Sequence, residues 1–441
     1  MSPAAIKIEE LSTIKKKLSF EIPWNEVKEE LDSVYRDVGK KAKLRGFRPG
    51  KVPRKVLETY FKEQVEGDTI TNIINKYYWQ TLEDKGIASV SKPEITQEGL
   101  KENTDFSFTA SFETEPKFEP QGYKGLAVEK ENIVVTDNDL ENRFTQIRQM
   151  FATMEEVKEE RPVRQGDFVT IDFAGTLNGE SLKELKAENY FLEVGSKRFI
   201  PGFEEQLEGM NNNETKTLNV TFPEDYQEKK FAGKEVDFSV TIKNIKEKKL
   251  PELDEAFIKN FEKYNSLDDL KKEILKTLGE ESKKMSETNL QNSIMDILLK
   301  ENEFEVPPSL VEKQIYYMMA DAHKRMTSAG MDEKNAMELS FKMHDKFKDE
   351  AVKIVKSFLI LKAIAEKESL NVEESEIDKH IETLAVKHGR DYQLLKTAYE
   401  KDERRDSLKS ELIQKKVFDF IEQHANIKAV EKIGMIPEDG K

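Results

Sequence analysis

The sequence predicts an α+β protein of several domains: an N-terminal α+β domain, a β-rich middle domain and an all-helical C-terminal domain. The length of 441 residues exceeds what one hydrophobic core supports, and about three domains are usual for it. The apolar spacing changes along the chain from mixed strand and helix periods, to short strands rich in Val, Ile and Phe, to long helical stripes. Pro116, Pro120 and Pro251 lie where the pattern changes, which is typical of connections between domains.

The first predicted domain covers residues 1–115. Alternating apolar side chains predict strands at 18–22, 89–95 and 106–112, and helical spacing predicts a helix on each side of a loop at 46–53. Gly and Pro in this loop prevent either helix from continuing through it. This succession of strands and helices predicts an α+β fold.

Residues 116–160 are predicted to form an extended connector, because the segment opens with prolines and then carries only one short strand and one helix. The helix is expected to begin at a cap formed by Thr136 or Asp137. Residues 161–248 carry short apolar strands separated by turn signals. We expect a compact β-rich domain there.

The composition excludes several classes of chemistry. The chain has no cysteine, which rules out disulfides, thiolate metal sites and a cysteine nucleophile. Its five histidines lack ligand spacing, and neither a P-loop nor a dinucleotide-binding Gly motif is present, so we expect no metal, no cofactor and no ATP-driven cycle. No apolar run is long enough for a membrane span or a secretory signal, and we therefore expect a soluble cytoplasmic protein.

One strongly basic segment interrupts a chain whose formal net charge is −15. No Asp or Glu occurs between Val38 and Leu57, and the cations there are Lys40, Lys41, Lys43, Arg45, Arg48, Lys51, Arg54 and Lys55. The loop within it predicts a protruding turn with Phe47 and Arg48 at its tip. Such an arginine can pair with a phosphate or carboxylate, and the ring can fill an apolar pocket. The competing interpretation is a solvated connection between two helices.

The basic loop resembles the ribosome-binding signature of bacterial trigger factor, GFRxGK followed by Val and Pro. The residues that match this signature are Gly46, Phe47, Arg48, Pro49, Gly50 and Lys51, with Val52 and Pro53 behind them. The resemblance implies docking beside the nascent-chain exit tunnel of the large ribosomal subunit. The implied partners are a protein of that subunit and the adjacent ribosomal RNA.

The middle domain resembles the FKBP-type peptidyl-prolyl isomerases in the segments VTIDFAGTLNG and FLEVGSKRFIPGFEEQLEGM. The resemblance implies a proline pocket, whose expected residues are Phe173, Tyr190, Phe199, Ile200, Phe203, Tyr226 and Phe238. Phe203 is expected at the floor of this pocket. The backbone at Phe199 and Ile200 is expected to receive the substrate, and Glu184 is a candidate for the acidic residue near the pocket mouth.

The expected residue types suit the isomerisation of an X-Pro bond. Rotation must cross a barrier of about 18–20 kcal/mol that comes from amide resonance. A twisted amide is less dipolar than a planar one, so an apolar aromatic pocket disfavours the planar ground state more than the transition state. No nucleophile, metal or general base is required. The competing interpretation is that these aromatic side chains only fill the core of the β-rich domain.

The last predicted domain, residues 249–441, is expected to be helical to about Glu431. Met318, Met319 and Met326 lie on one helical stripe and are candidate substrate-binding residues, because methionine is flexible and suits promiscuous apolar surfaces. Core filling in long helices is the competing interpretation. The resemblance to trigger factor implies that this region forms a cradle for unfolded chains.

The resemblance to trigger factor covers essentially the full chain, in the domain order of that family. It implies an ATP-independent, ribosome-associated chaperone of the cytoplasm that binds unfolded nascent polypeptides and carries a prolyl isomerase domain. It also allows a homodimer when the protein is free of the ribosome. Two alternatives stay open: a prolyl isomerase that works without ribosomes, and an assembly chaperone that acts on folded partners.

Overall fold

The computed structural model describes residues 5–45, 47, 50–158, 161–177, 180–224, 226, 228–400 and 402–434. These residues divide into two compact units. The first unit contains the described residues up to Lys130 together with Glu287–Val430, and the second contains Glu131–Ser286 and the described residues beyond Val430. No helix in this part of the chain is long and apolar enough to cross a membrane.

The first unit begins with an antiparallel sheet and two helices: β1 (Ala5–Glu10), β2 (Lys15–Ile22), α1 (Trp24–Lys41), α2 (Arg54–Asp84), β3 (Glu94–Gln97) and β4 (Phe106–Glu113). The strand order in the sheet is β1-β2-β4-β3. Side chains alternate along β2 and β4, so that Phe20 and Phe108 lie opposite each other and stack at 4.4 Å. Together with Ile73 and Tyr78 of α2 they belong to one buried cluster.

Two of the three strands predicted in this region, β2 and β4, are confirmed. The strand predicted at 89–95 is wrong in extent, because β3 begins only at Glu94 and Ser89 makes an isolated bridge to Thr114. Pro93 precedes β3 directly. Since proline has no backbone N–H, it cannot donate to a strand ladder, which accounts for the late start.

The middle of the chain forms strands and short helices: β5 (Ala127–Val134), α3 (Asp137–Met150), β6 (Thr153–Glu156), β7 (Phe168–Leu177), β8 (Glu180–Glu193), a 3₁₀ helix (Glu205–Leu207), β9 (Thr215–Thr221), β10 (Glu235–Lys249) and α4 (Glu255–Ile258). Thr136 caps α3, as predicted. Its hydroxyl accepts from the Asp139 N–H at 3.2 Å, and the Asp139 carboxylate accepts from the Thr136 N–H at 2.8 Å. The pair forms a capping box, which fixes where the helix begins.

The antiparallel sheet of the second unit has the order β6-β10-β7-β8, and β9 also pairs with β10. Because side chains alternate between the faces of a strand, Ile171 of β7 and Val240 of β10 lie on the same buried face. Phe203 and Leu207, from the segment after β8, belong to the same hydrophobic cluster. The candidate active site is built on this face.

The remaining elements are helices and one strand: α5 (Leu267–Glu301), α6 (Pro308–Ser328), α7 (Glu333–Lys342), α8 (His344–Lys367), α9 (Glu374–His388), α10 (Tyr392–Tyr399), α11 (Asp402–His424) and β11 (Asn426–Ile433). The prediction of helix to about Glu431 is wrong, because β11 replaces the helix after His424 and pairs with β5. The C-terminal region is therefore not all-helical. Strand β5 lies far earlier in the chain, and the Lys432–Glu131 ion pair at 3.1 Å joins the two strands. Local helical spacing cannot anticipate such a remote partner.

A second hydrophobic cluster of the first unit is built by α5, α8 and α11, and its buried members include Leu290, Ile294, Leu298, Ile360, Ile364, Val417 and Ile421. Polar contacts join α6 and α8 to the end of β4 and to the segment that follows it. The Glu113 carboxylate accepts from the Ser309 N–H at 2.9 Å and from its hydroxyl at 2.6 Å. The Lys362 ammonium donates to Glu115 at 2.5 Å. The N-terminal α+β region and these helices thus form one compact unit.

Candidate active site

Three buried phenylalanines form the centre of the expected proline pocket. Strand alternation places Phe173 of β7 and Phe238 of β10 on the covered face of the sheet, and Phe203 packs between them from the segment after β8. The ring centroids lie 5.4 Å apart for Phe203 and Phe238, and 6.1 Å apart for Phe173 and Phe203. All these pairs meet edge to face, the arrangement that aromatic rings prefer.

A second layer of residues lies at the open side of this ring set. Phe199 is centred 4.3 Å from Phe203, and Tyr190 of β8 is 5.7 Å from both Phe199 and Phe173. Tyr190 is 40% exposed, whereas Phe203 is fully buried. The structure therefore brings these predicted residues together as a graded set, from a buried floor to an exposed rim.

Tyr226 joins the set through a residue that the sequence analysis missed. Phe222 is buried and lies 4.8 Å from Tyr226 and 6.3 Å from Phe238, measured between ring centroids. A signal for Phe222 exists in the sequence, because Leu218, Val220 and Phe222 alternate. Tyr226 itself is 38% exposed and marks a second part of the rim.

The loop that carries Phe199 is held by Glu204, which the sequence analysis also missed. The Glu204 carboxylate accepts from the backbone N–H groups of Lys197, Arg198 and Phe199 at 2.9, 3.0 and 2.9 Å, and from the Ser196 hydroxyl at 3.2 Å. Glu204 is only 3% exposed. Burial alone would raise its pKa, but the backbone donors, led by Phe199 and Lys197, outweigh burial and hold the pKa below its usual range.

The backbone N–H of the next residue in the loop, Ile200, does not donate to Glu204. Its carbonyl accepts from the Phe203 N–H at 3.0 Å in a tight turn, and Gly202 takes a φ of +85° that side chains disfavour. Within the described residues the Ile200 N–H donates to no acceptor. Ile200 is nearly buried beside the aromatic set. The loop thus presents the Ile200 N–H as an unused donor at the rim of the pocket.

Two carboxylates on the surface of this domain, Glu184 and Asp172, are engaged by lysines. Lys230 donates to Glu184, the candidate acid, at 3.0 Å. Asp172, which precedes Phe173, pairs with Lys243 at 2.7 Å, and the hydrogen bond from Lys243 is the main reason that the pKa of Asp172 is lowered. In the described part of the chain no group of His, Asp and Glu side chains is arranged to hold a metal ion.

The basic loop at residues 46–53, where docking is predicted, connects α1 with α2. Ala42 and Pro53 adopt extended backbone conformations and so end the loop on either side. Phe47 is 39% exposed, and Gly50 takes a φ of +77°, which a side chain would strain. Lys51 is also exposed. The other predicted docking residues lie outside the described residues: Gly46, Arg48 and Pro49.

The cations around this loop fall into two groups. Lys40 pairs with Asp37 at 2.8 Å, and Arg54 pairs with Asp32 and Glu58 at 3.0 and 2.8 Å. Among the described residues the following cations form no ion pair: Lys41, Lys43, Arg45, Lys51 and Lys55. These unpaired cations, on the loop and on the adjoining ends of α1 and α2, leave a positive charge that an anionic partner can bind.

The three candidate methionines of the helical region lie on α6 in different surroundings. Met319 is buried with Ile315 in the contact between α6 and α8, which matches the competing interpretation of core filling. Met318 and Met326 are partly exposed. The side chain of Tyr317 on the same helix is 60% exposed. On α6, Tyr317 is therefore more exposed than the three candidate methionines.

A groove of about 900 Å³ lies among α5, α6 and α8 in the first unit. Its apolar lining includes Met295, Leu299, Tyr317, Ile354 and Phe358. Charged side chains of both signs line it as well: Glu115, Asp296, Lys313, Glu350 and Lys353. We call this feature the helical groove. It combines apolar contact area with groups that stay hydrated.

Three family models match the chain. The model described as bacterial trigger factor protein (TF) matches residues 4–147, and that of the trigger factor C-terminus matches residues 266–423. The model described as FKBP-type peptidyl-prolyl cis-trans isomerase matches residues 159–243. The basic loop at residues 46–53 lies within the first match, and every expected residue of the proline pocket lies within the third.

Proteins named trigger factor are similar to this chain over their whole length. The trigger factor of Syntrophus aciditrophicus is 46% identical over 436 residues, which cover 99% of this chain and 98% of the relative. That of Syntrophotalea carbinolica is 38% identical and covers 97% of each chain. That of Geotalea uraniireducens is 36% identical and covers 97% of this chain and 99% of the relative. The chain therefore belongs to the bacterial trigger factor family and carries an FKBP-type peptidyl-prolyl isomerase domain.

Proposed function

We propose that this protein is an ATP-independent chaperone that docks at the exit tunnel of the large ribosomal subunit, binds unfolded nascent polypeptides and catalyses cis/trans isomerisation of X-Pro bonds. The ordered aromatic set around Phe203 carries the enzymatic part of the proposal. Family membership and the unpaired cations near Phe47 support the ribosomal part. A protein with this role works in the cytoplasm, partly bound to ribosomes.

In the proposed isomerisation, the proline ring of the substrate enters at the rim formed by Phe199, Tyr190 and Tyr226. It then lies against Phe203 at the floor. The apolar walls replace water around the amide, and the planar amide loses more stabilisation than the less dipolar twisted one. The unused Ile200 N–H donates to a carbonyl of the substrate and so fixes its register. Rotation then needs no nucleophile, metal or general base.

In the proposed chaperone action, apolar segments of unfolded chains bind in the helical groove. Each contact is shallow, so binding is weak and adapts to many sequences, while the charged lining keeps the complex hydrated. Partly exposed Met318 and Met326 on α6 add flexible apolar contacts, whereas Met319 stays in the core. Release needs no nucleotide, because such contacts dissociate one by one and folding removes the segments that they bind.

In the proposed docking, Phe47 fills an apolar pocket on a ribosomal protein and Arg48 pairs with a phosphate or carboxylate. Lys51 and its unpaired neighbours add attraction to ribosomal RNA. The formal net charge of the chain is −15, so this attraction is confined to the loop. Docking by a small basic loop therefore leaves the rest of the protein free to contact the emerging chain.

Co-sedimentation with ribosomes at moderate salt tests this proposal. We expect a variant with Phe47→Ala, Arg48→Ala and Pro49→Ala to bind more than about tenfold more weakly, because anchoring aromatic and arginine residues dominate such interfaces. Tyr60→Ala is the matched control, since Tyr60 is an exposed aromatic residue on α2 outside the loop. Unchanged pelleting of the triple variant would remove docking from this loop and favour an isomerase or assembly chaperone that works without ribosomes.

A further inference from the structure

The backbone from Ser196 to Phe199 forms a concave anion site that is occupied by a side chain of the same protein. Lys197 has a φ of +57°, a left-handed conformation that can aim successive N–H groups at one point. The Glu204 carboxylate lies at that point and uses both of its oxygens. One oxygen accepts from the Arg198 and Phe199 N–H groups, and the other accepts from the Lys197 N–H.

We propose that Glu204 is a positioning residue for X-Pro isomerisation. Its carboxylate holds the backbone of residues 197–199, so that Phe199 and Ile200 present a fixed rim to the substrate. This inference rests on the isomerase function proposed above. It is independent of ribosome docking and of client binding by the helical groove.

The contact between Glu204 and the loop is strong. Hydrogen bonds to a charged acceptor are about twice as strong as neutral ones, and here three backbone donors and the Ser196 hydroxyl share one carboxylate. A carboxylate as buried as Glu204 is tolerated only when such donors satisfy it. The loop and the carboxylate therefore depend on each other, and the rim position of Phe199 depends on both.

Glu204 also determines which backbone donors of the loop are free. Because Glu204 occupies the N–H groups of Lys197, Arg198 and Phe199, none of them competes for a substrate carbonyl. Within the described residues the N–H of Ile200 is left without an acceptor. The carboxylate thus leaves the N–H of Ile200 as the first free donor after Phe199. A substrate carbonyl that accepts from this donor is held in a fixed register over the aromatic floor.

The neighbouring residue, Glu205, differs from Glu204 in its surroundings. Glu205 has the same charge and follows directly in the sequence, yet it is exposed and begins the 3₁₀ helix. It therefore provides a matched control. Glu204→Gln removes one of the two acceptor oxygens and sets an amide N–H₂ against backbone donors, whereas Glu205→Gln removes the same charge without touching the loop.

The test measures kcat and KM of the full-length protein on a short X-Pro peptide, at a temperature well below the melting temperature of every variant. We expect Glu204→Gln to lower kcat/KM about tenfold or more, mainly through kcat, because a loosened rim favours the transition state less. Glu205→Gln stays within about twofold of the parent protein, as is usual for an exposed site. Ser196→Ala, which removes one neutral donor, gives a smaller fall of about two- to threefold.

The amide NMR signals of residues 197–199 give a readout that a general loss of stability does not reproduce. In the folded Glu204→Gln variant these signals lose the downfield shift that a carboxylate acceptor causes, and in Glu205→Gln they keep it. A folded Glu204→Gln variant with parental kcat overturns the positioning role, as does a fall confined to KM. If Glu204→Gln does not fold, Ser196→Ala decides, and parental kcat in that variant overturns the role. A parent protein without any turnover instead contradicts the proposed isomerase function.

Discussion

The proline pocket and the helical groove are both lined by aromatic and aliphatic side chains, yet they are built differently. In the pocket, the rings of Phe199, Phe238 and Phe173 have their centroids 4.3, 5.4 and 6.1 Å from that of Phe203. In the groove, the rings of Tyr317 and Phe358 contact no other aromatic ring within the described residues. The lining of the groove also mixes both signs of charge with its apolar groups.

Because of this difference, the proline pocket has one fixed shape, whereas the helical groove can take several shapes. Rings that contact one another restrain each other, so the pocket keeps the geometry that a single kind of bond requires. Tyr317 and Phe358 have no such aromatic neighbours in the described part of the chain, so each ring can change rotamer without moving another ring, and the groove can adapt to chains of different sequence. A concave restrained site suits catalysis, and an open adaptable surface suits weak binding of unfolded chains.

The largest expected effect comes from removing the floor of the pocket. Phe203→Ala should lower isomerase turnover by about 100-fold, because the substrate proline loses its main contact surface and the remaining rings lose their restraint. The same change leaves a cavity and destabilises the domain by about 3–5 kcal/mol. Suppression of aggregation of a proline-free unfolded client should stay within about twofold of the parent protein, since the groove is untouched.

The control for this prediction is Phe191→Ala, which removes an exposed ring from β8 outside the buried set. Turnover and aggregation suppression are measured on the same preparations, with circular dichroism to show that the variants are folded. Loss of both activities together in Phe203→Ala would contradict the separation of pocket and groove.

An intermediate effect is expected from the groove. Tyr317→Ala combined with Phe358→Ala should weaken aggregation suppression about fivefold, as each ring supplies part of a shared apolar surface. Isomerase turnover on a short peptide should not change. Light scattering of a proline-free client measures the first quantity and a peptide assay the second.

A matched control removes exposed apolar groups elsewhere in the helical region. Val386 on α9 and Leu394 on α10 are both more exposed than Tyr317, yet neither lines the groove. Val386→Ala with Leu394→Ala should therefore suppress aggregation almost as well as the parent protein. An equal loss in both double variants would mean that exposed apolar area in general, and not the groove, binds the client.

The smallest expected effect is the response of the second unit to acid. Burial would raise the pKa of Asp167, but hydrogen bonds from the Arg161 guanidinium and the Arg164 N–H outweigh burial and lower it. Since the folded pKa lies below the unfolded one, the stabilisation is fully present above the unfolded pKa and is lost as the pH falls through the folded value. The parent protein loses free energy of unfolding between pH 7 and pH 3, and Asp167→Asn should make this loss smaller by a value on the order of 1 kcal/mol.

Urea unfolding of the parent and of Asp167→Asn at both pH values measures this effect. The parent should lose more stability on acidification than the variant does. An equal loss in the two proteins would show that Asp167 does not contribute to the acid response. Turnover at neutral pH should be close to the parental value in the variant, because Asp167 lies outside the aromatic set.

Part of the candidate site could be predicted from the sequence, because the resemblance to FKBP-type isomerases implies its aromatic residues and several of them follow local strand periods. Alternation along β7 and β10 shows that Phe173 and Phe238 each lie on the apolar side of their own strand, and the same alternation indicates Phe222, which directly follows β9. The pairing of β7 with β10, which brings the two rings onto one face, is not local. The cap at Thr136 is local, since both partners of the capping box lie within one turn. The turn at Gly50 follows from residue types that cannot continue a helix.

Other features of the site could not be read in this way. Glu204 and Glu205 look alike in the sequence, and only the fold of the preceding loop distinguishes the buried carboxylate from the exposed one. Met319 and Met326 share a helical stripe, but only α8 decides that the first is core. Helical spacing shows which face is apolar, and it does not show how much of that face a neighbour covers.

The sequence by itself determined the local elements of this protein: the strand periods, the helix cap and the basic loop of an acidic chain. The tertiary structure alone decided that β11 pairs with β5 and that Glu204 meets three backbone donors. The physical reason is the range of the interactions. Backbone propensity and side-chain alternation act between near neighbours in the sequence. Strand pairing, burial and the solvation of a carboxylate depend instead on which segments the folded chain brings into contact.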